Sequence, residues 1–487
     1  MTAPPADPVK AEVQRLVVYS YTLNRSRHFV LQVIDPVAAR DFLAGIVDKG
    51  LITNASLDDN DVQSLKKDGF CPLNIGFTYR GLEKLQLREP YLRVFQEKAK
   101  AFAEGAFLRA ARRLADTGPS AAERWEECFK LEHAHVLLAM HADEERELDE
   151  VAETLEEMPG AAGLDGWKTP LEGCHLTTNR KERTVHFGLR DGISDPAIKG
   201  FHEEKAWRDG SRKLTLHAPG EFLLGYRNDD QFNPWLLINP SPRPNPWLLP
   251  LNPAPGLAEF FRNGSFAAFR KMEQHEREFR DFVAKWATKR GVTAEYVRAK
   301  LAGRWDDGRV VKPGEQQAPS DPTPADAAEM DEFDFADDPR GEGCPFGSHI
   351  RRMNPRTDMV VPARSRSLIR RSMPYGPPYQ ENESEKGPRR GLLGLFFCAS
   401  LEDQFEHLLA EWGNANPMGP GNLGNAKDPV IGNHENPAAI FDIPMKGEKA
   451  RQLDGFSPFV TTCGTLYAFF PSLTALSRIA RCGRPAP

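Results

Sequence analysis

The rhythm of apolar and polar positions divides this chain into alternating strands and helices. Arg27-His28-Phe29-Val30-Leu31-Gln32-Val33 predicts a strand, and the segment Ala38 to Leu51 has helical periodicity. Asn74 to Tyr79 predicts a second strand, with a helical turn at Gly81 to Leu85. From Val94 to Leu114 helix formers carry apolar residues at three- and four-residue spacing, so one long helix is expected. Asp116-Thr117-Gly118-Pro119-Ser120 ends it. His135 to His141 is a short apolar run suited to a buried strand, and Glu144 to Met158 is an acidic amphipathic helix. Glu221 to Tyr226 leads into a proline-rich passage, Asn239 to Pro255. Proline lacks an N–H donor and fixes φ, so that passage excludes helix and central strand. It reads as a connector (residues 239–256) between an N-terminal half (1–238) and a C-terminal half (257–487).

The rhythm then repeats. Gly264 to Arg270 is a strand and Glu273 to Thr288 a helix. Gln316 to Arg340, poor in apolar residues, predicts a surface excursion. Gly391 to Ala399 is a buried strand with a helix, Leu401 to Trp412, behind it. Asn414 to Asn436 is a Gly/Asn/Pro loop, and Thr465 to Pro471 a last strand. Strands and helices interleave in both halves. The fold class expected is α+β and duplicated, with helices packed on antiparallel sheets.

Composition narrows the function classes. The net charge is -6 over 487 residues, which gives no electrostatic case for nucleic acid. No apolar run approaches the roughly 18 residues that span a bilayer, so no membrane partner is expected. Met1 to Pro8 lacks a basic n-region, an apolar h-region and twin arginines, which makes a cytoplasmic address the expectation. Arg481 to Pro487 does not look like an apolar cargo peptide. The seven cysteines are scattered and form no C-x-x-C pair or C-x-x-C-H motif. Structural zinc of the paired-cysteine kind and thioether-bound haem are therefore not expected.

Three stretches carry candidate chemistry. Gly343 to Arg356 holds one imidazole, His349, among several cations on a Gly/Pro-shaped loop. Such a loop suits haem, whose iron takes an axial histidine and whose propionates take arginine. A phosphate site or a solvated basic turn uses the same residues. Gly188-Leu189-Arg190-Asp191-Gly192-Ile193-Ser194-Asp195-Pro196 reads as an ordinary Asx turn, or as a carboxylate presented close to a ligand because Gly192 has no side chain. Leu368 to Gly376 sends Arg370 and Arg371 to opposite faces of an extended segment. One of them is then a candidate to point inward, where it needs an anion or polar ligand.

Taken together and in this order, the stretches resemble the dye-decolourising (DyP-type) haem peroxidases in their longer form. The G-x-x-D-G signature of that family resembles Gly188 to Gly192, its proximal-histidine loop Cys344 to Arg356, and its distal-arginine segment Ile369 to Gly376. Supporting matches run from about Asn74 to Leu476, and residues before Asn74 match only loosely. The resemblance implies two ferredoxin-like halves with non-covalent haem b (heme b) in the C-terminal one. It implies His349 as the proximal iron ligand and Asp191 and Arg370 as distal catalytic residues. Gly192, Ile193 and Ser194 would border the cofactor. It also implies reduction of hydrogen peroxide through a high-valent iron-oxo intermediate, with a dye, phenol or similar small aromatic reductant as electron donor. A homodimer is among the assemblies it allows. Arg351 is the natural propionate partner, with Arg356 next, and either could instead be a loop-fixing cation. Glu406 is the first candidate for a carboxylate behind His349, with Glu402 and Asp403 after it, and the solvated face of that helix is an equal reading for all three. Tyr375, Tyr379 and Trp412 are candidate electron-transfer aromatics or core residues. Ser372 stands where some relatives have Asn, and Cys463 where relatives often carry Arg.

Rival readings keep part of these residues. A non-enzymatic haem-binding, transfer or sensor protein needs His349 but neither Asp191 nor Arg370. Cys344 would supply a redox-switched thiolate ligand. A metallohydrolase would use His133, His135 and His141 with Glu144 or Glu145.

Overall fold

A computed structural model describes residues 9–482, apart from 58, 66–68, 178–182, 203–215, 231–255, 322–329, 357–365, 385–386, 416–426 and 436–439. Nearly all of the expected connector, and the end of the chain past 482, thus lie outside the described residues.

The chain forms strands β1 (Arg25–Val33), β2 (Leu73–Phe77), β3 (Val136–Ala142), β4 (Leu164–Asp165) and β5 (Leu171–Cys174) in its first part. Two short strands follow, β6 (Ala197–Ile198) and β7 (Leu216–His217). Then come β8 (Ser265–Gln274), β9 (Ile369–Tyr375), β10 (Gly391–Cys398), β11 (Ile440–Met445), β12 (Glu448–Asp454) and β13 (Val460–Phe470). Nine of them make one sheet, in the order β4-β1-β3-β2-β13-β8-β10-β9, with β5 also paired to β1.

That order exposes the duplication. In the first half β1, a helix (Pro36–Asp48), β2, β3, a helix (Glu145–Glu156) and β4 follow one another. In the second half β8, a helix (Glu276–Arg290), β9, β10, a helical segment at 401–413 and β13 do the same. Each half lays its fourth strand beside its first, then its third, then its second. This is the ferredoxin-like arrangement, with antiparallel pairing between neighbours. The halves are joined where β13 pairs with β2 at Phe469 and Phe77. Aromatic rings seal that joint: Phe95, Phe102, Phe266 and Phe469 lie within 4.8–6.5 Å of one another, centroid to centroid.

Local chemistry explains the element boundaries. Asp35 caps the first helix by accepting from the amides of Val37 and Ala38, and Pro36 occupies its first turn. The long helix expected from Val94 to Leu114 is instead broken into Glu89–Lys98, Lys100–Glu104, Ala106–Arg109 and one wide turn at Ala110–Leu114. Gly105, at φ +83°, interrupts the helical path while the apolar spacing continues across it. The expected surface excursion before Arg340 is corrected in part. Met330, Asp331, Phe335 and Asp338 are buried beneath the His349 loop.

Candidate active site

One face of the second half's sheet lines a cavity of about 1340 Å³. The register sets that face: Phe396 lies opposite Arg370, and Leu392 lies between Pro374 and Met272. All five side chains border the cavity. The 188–196 loop and the helix His349–Met353 border the same cavity.

The loop expected at His349 is therefore the start of a short helix. Its cap residue, Ser348, is fully buried, and the Ser348 hydroxyl donates to the carbonyl of Pro345 at 2.7 Å. Nδ1 of His349 bonds the Asp428 carboxylate at 2.9 Å. Asp428 is fully buried, and its second oxygen accepts from the amides of Val430 and Ile431, each at 2.9 Å. Burial pushes the Asp428 pKa up, but the His349 ring, Arg352 and the backbone donors outweigh it. The carboxyl is held below its usual range. The carboxylate fixes the imidazole's orientation and makes Nε2 more basic. Nε2 is the nitrogen left for a ligand, since it has no partner among the described residues and His349 borders the cavity.

Glu406, the first expected partner of His349, is elsewhere. Both its oxygens bond Arg109 at 2.6 Å, and Oε1 also accepts from Tyr467. Glu402 accepts from the Ala101 amide, and Asp403 accepts from the hydroxyl of Ser400. Residues 401–413 do reach the cavity through Phe405, Leu408 and Trp412, but Glu402 and Glu406 turn the other way, toward the Ala101 amide and Arg109. Asp428 and Glu435 are the two acidic residues in the 414–436 loop. The Asp-Pro step at 428–429 marked a rigid turn there, and that was the available signal.

Arg351 is likewise corrected. It is fully buried, donates to the carbonyls of Asp338 and Cys344, and stacks on Phe335 and Phe346. It braces the loop and does not border the cavity. Arg356 borders the cavity but is clamped to Asp331 and to the Phe333 carbonyl. Arg366, passed over in the sequence, is a further cation on the wall.

On the other side, Gly188 (φ +77°) and Gly192 (φ +72°) bend the chain so that Asp191 reaches the cavity. A Cβ on either glycine would meet no atom within 4 Å, so the backbone angle and not crowding asks for glycine. The loop is clipped to β9 by both arginines. Arg370 donates to the Ser194 carbonyl at 2.8 Å. Arg371, on the opposite face of the strand, bonds both Asp195 oxygens at 3.0 Å and the Leu16 carbonyl at 3.1 Å. Ile193 is buried against Gly308, and Ser194 donates to Asp331 at 2.9 Å. Asp191, Gly192, Ile193, Ser194, Arg370 and His349 thus share one cavity.

The rival chemistries lose support. Burial pushes the Cys344 thiol up to about 11, and its sulfur contacts the Ser348 hydroxyl, not the cavity. His133 bonds Glu127 and Gln32, and Nδ1 of His135 accepts from the Val33 amide. Among the described residues no three His, Cys, Asp or Glu side chains are grouped to hold a metal ion. Tyr375 packs below Lys271 and Tyr379 among Arg277, Arg280 and Arg390, while Trp412 is buried.

The walls fit an iron porphyrin. His349 offers one directed nitrogen. Leu392, Phe396, Phe405 and Leu408 offer apolar surface for a macrocycle, and Arg366, which also donates to the Asp403 carbonyl, offers a cation for its acid groups.

The fold and these walls define a two-half α+β protein with a histidine-bearing cavity on the second half of its sheet. Residues 19–163 match the family model of the DyP dimeric alpha+beta barrel domain, so the match includes residues before Asn74. The chain is 29% identical to the multifunctional dye peroxidase DyP2 of Amycolatopsis sp., over 96% of this chain and 94% of that one. It is 26% identical to the dye-decolorizing peroxidase msp1 of Mycetinis scorodonius, over 96% and 87%. The solved structure of a fungal DyP-type peroxidase from Auricularia auricula-judae superposes with a TM-score of 0.78 at 21% identity, over 98% of this chain and all of that one. Residues 19–163 thus carry the family's N-terminal domain, and the similarity of nearly the whole chain to dye-decolourising peroxidases identifies it as a peroxidase.

Proposed function

We propose that this protein holds haem b non-covalently on His349, reduces hydrogen peroxide at Asp191 and Arg370, and oxidises dyes, phenols or similar aromatic donors. The observation that carries the reading is that His349, held by Asp428, borders the same cavity as Asp191 and Arg370. The rival transfer or sensor reading gives no work to those two distal residues. Bound haem iron supplies the electrons that cleave the peroxide O–O bond. The chain's part is to place charges and protons around it.

The Asp191 carboxylate takes the proton from one peroxide oxygen and returns it to the other, which leaves as water. It has no side-chain partner among the described residues, so both its oxygens are available. Arg370 uses one nitrogen to anchor on Ser194 and keeps the rest of its guanidinium for negative charge on the departing oxygen. A well-placed donor of this kind contributes about 2.7–4 kcal/mol to the barrier. Asp428 keeps Nδ1 of His349 occupied, so that Nε2 is the nitrogen that would hold a haem iron.

A cytoplasmic address fits the seven free cysteines. No described helix is long and apolar enough to cross a membrane.

The test is a visible spectrum of haem-loaded protein with and without equimolar peroxide, followed by dye turnover. Wild type is expected to show a haem band that changes on peroxide addition, and His349→Ala to lose it. Turnover unaffected by both Asp191→Asn and Arg370→Leu would overturn the distal assignment.

A further inference from the structure

A second constellation on the same cavity wall has no part in the peroxide chemistry. Nδ1 of His217 bonds Oδ2 of Asp229 at 2.7 Å, and its Nε2 lies 3.4 Å from the Ser367 hydroxyl. All three side chains border the cavity. They come from separate segments: β7, the 226–230 turn, and the residues just before β9.

The geometry points to a Ser367–His217–Asp229 nucleophilic triad that hydrolyses small aromatic esters. The supporting contacts fix each member. Asp229 also accepts from the Ala218 amide through Oδ1, at 2.7 Å, so its carboxylate cannot turn away from the imidazole. The Asp229 amide is held by Glu221 at 2.9 Å. Phe222 packs edge-on against the His217 ring, centroid to centroid 5.8 Å. The Ser367 carbonyl accepts from Gln404 at 2.8 Å, which pins the backbone of the nucleophile. This is a nucleophile, a base on it, and an orienting acid on the base. A separation of 3.4 Å is looser than in an engaged triad, and such contacts tighten when substrate binds.

The chemistry needs no oxidant. Ser367 Oγ attacks the ester carbonyl carbon while His217 Nε2 takes the hydroxyl proton. That proton passes to the departing alkoxide or phenoxide as the C–O bond breaks, leaving an acyl-serine. Water then attacks the acyl carbon, His217 takes its proton, and the proton returns to Ser367 as the acid departs. Asp229 stabilises the imidazolium in both halves. Leu368, next after the nucleophile, borders the same cavity, and its amide is the donor assigned to the oxyanion. Leu368, beside the nucleophile, favours an apolar, uncharged ester.

The experiment treats haem-loaded protein with a fluorophosphonate and, separately, with p-nitrophenyl acetate. Expected are a covalent adduct on the Ser367 peptide by mass spectrometry and a nitrophenolate burst. Ser367→Ala should abolish both. His217→Gln should slow acylation by about 100-fold or more. Near-UV circular dichroism on each variant separates lost chemistry from lost fold, and a Ser367→Cys variant labelled by a thiol reagent gives a second reading. There, an alkylation rate that rises with pH and drops when His217→Gln is added supports a base on the nucleophile. An adduct on any other residue, or a burst that survives Ser367→Ala, overturns the triad. Dye turnover on the same samples tests the peroxidase reading separately.

Discussion

At the scale of single residues, carboxylates decide most of the behaviour. Asp428→Asn keeps the shape behind His349 but removes its charge. The expected result is a 10–100-fold weaker haem affinity, of the order seen when the partner of a metal-binding histidine is lost, measured by titrating haem into apoprotein. Unchanged affinity would mean the pair only braces the loop. Glu221 gives a pH signature. It is buried, and burial pushes its pKa up to about 7 from the ordinary 4.5. A raised carboxyl favours the folded state fully below the unfolded value, and the advantage fades as pH climbs through the folded one. Wild-type stability should therefore fall between about pH 4.5 and 7 through this group. Glu221→Gln retains an oxygen for the Asp229 amide and should be the more stable protein at pH 8, by up to about 3 kcal/mol in urea melts. Equal pH slopes for the two proteins would count against it. His349, Asp191 and Arg370, which border one cavity, stand out in the sequence because each sits in a distinctive stretch. Asp428 was not, because its pairing joins positions 79 residues apart across a loop with no periodicity to read.

At the scale of elements, the two arginines of β9 divide their work by strand alternation, as sequence parity alone suggested. Parity did not say which one carries the loop. Arg371 is the stronger clip, with two oxygens of Asp195 and one backbone carbonyl. Asp195 is about half exposed, at 45%, so this ion pair is worth about 1 kcal/mol or less to the fold. Its value is positional, because the loop that it holds carries Asp191. Arg371→Met is expected to shift the melting temperature little and to lower kcat/KM for peroxide by about 10–100-fold, as small misplacements of reacting groups do. A variant with normal kcat/KM would show that Arg370 alone positions the loop. The short helix at His349 was read as irregular loop for a related reason. Five residues are too few to display helical spacing, and the helix is specified by buried partners such as Asp338 and not by its own pattern.

At the scale of the whole molecule, duplication was visible as a repeated rhythm, but the joint was not. Nothing in the sequence pairs β2 with β13, because the partners of distant strands are chosen by tertiary packing. The joint makes one sheet of both halves, so they should unfold together. Gly76 on β2 tests this. A Cβ there would lie 2.6–3.0 Å from the ring of Phe470 on β13, inside contact distance. Gly76→Val forces that ring aside and should cost about 1–3 kcal/mol, as overpacked cores do. The loss should appear equally in both halves when hydrogen exchange of peptides from β1–β3 and from β8–β10 is followed through a urea series. Destabilisation confined to the first half would mean that the two halves are separate folding units that merely touch. Equal loss would mean that the cavity face carrying Arg370 and the strand pair carrying Gly76 stand or fall as one sheet, so that peroxide chemistry in the second half depends on packing in the first.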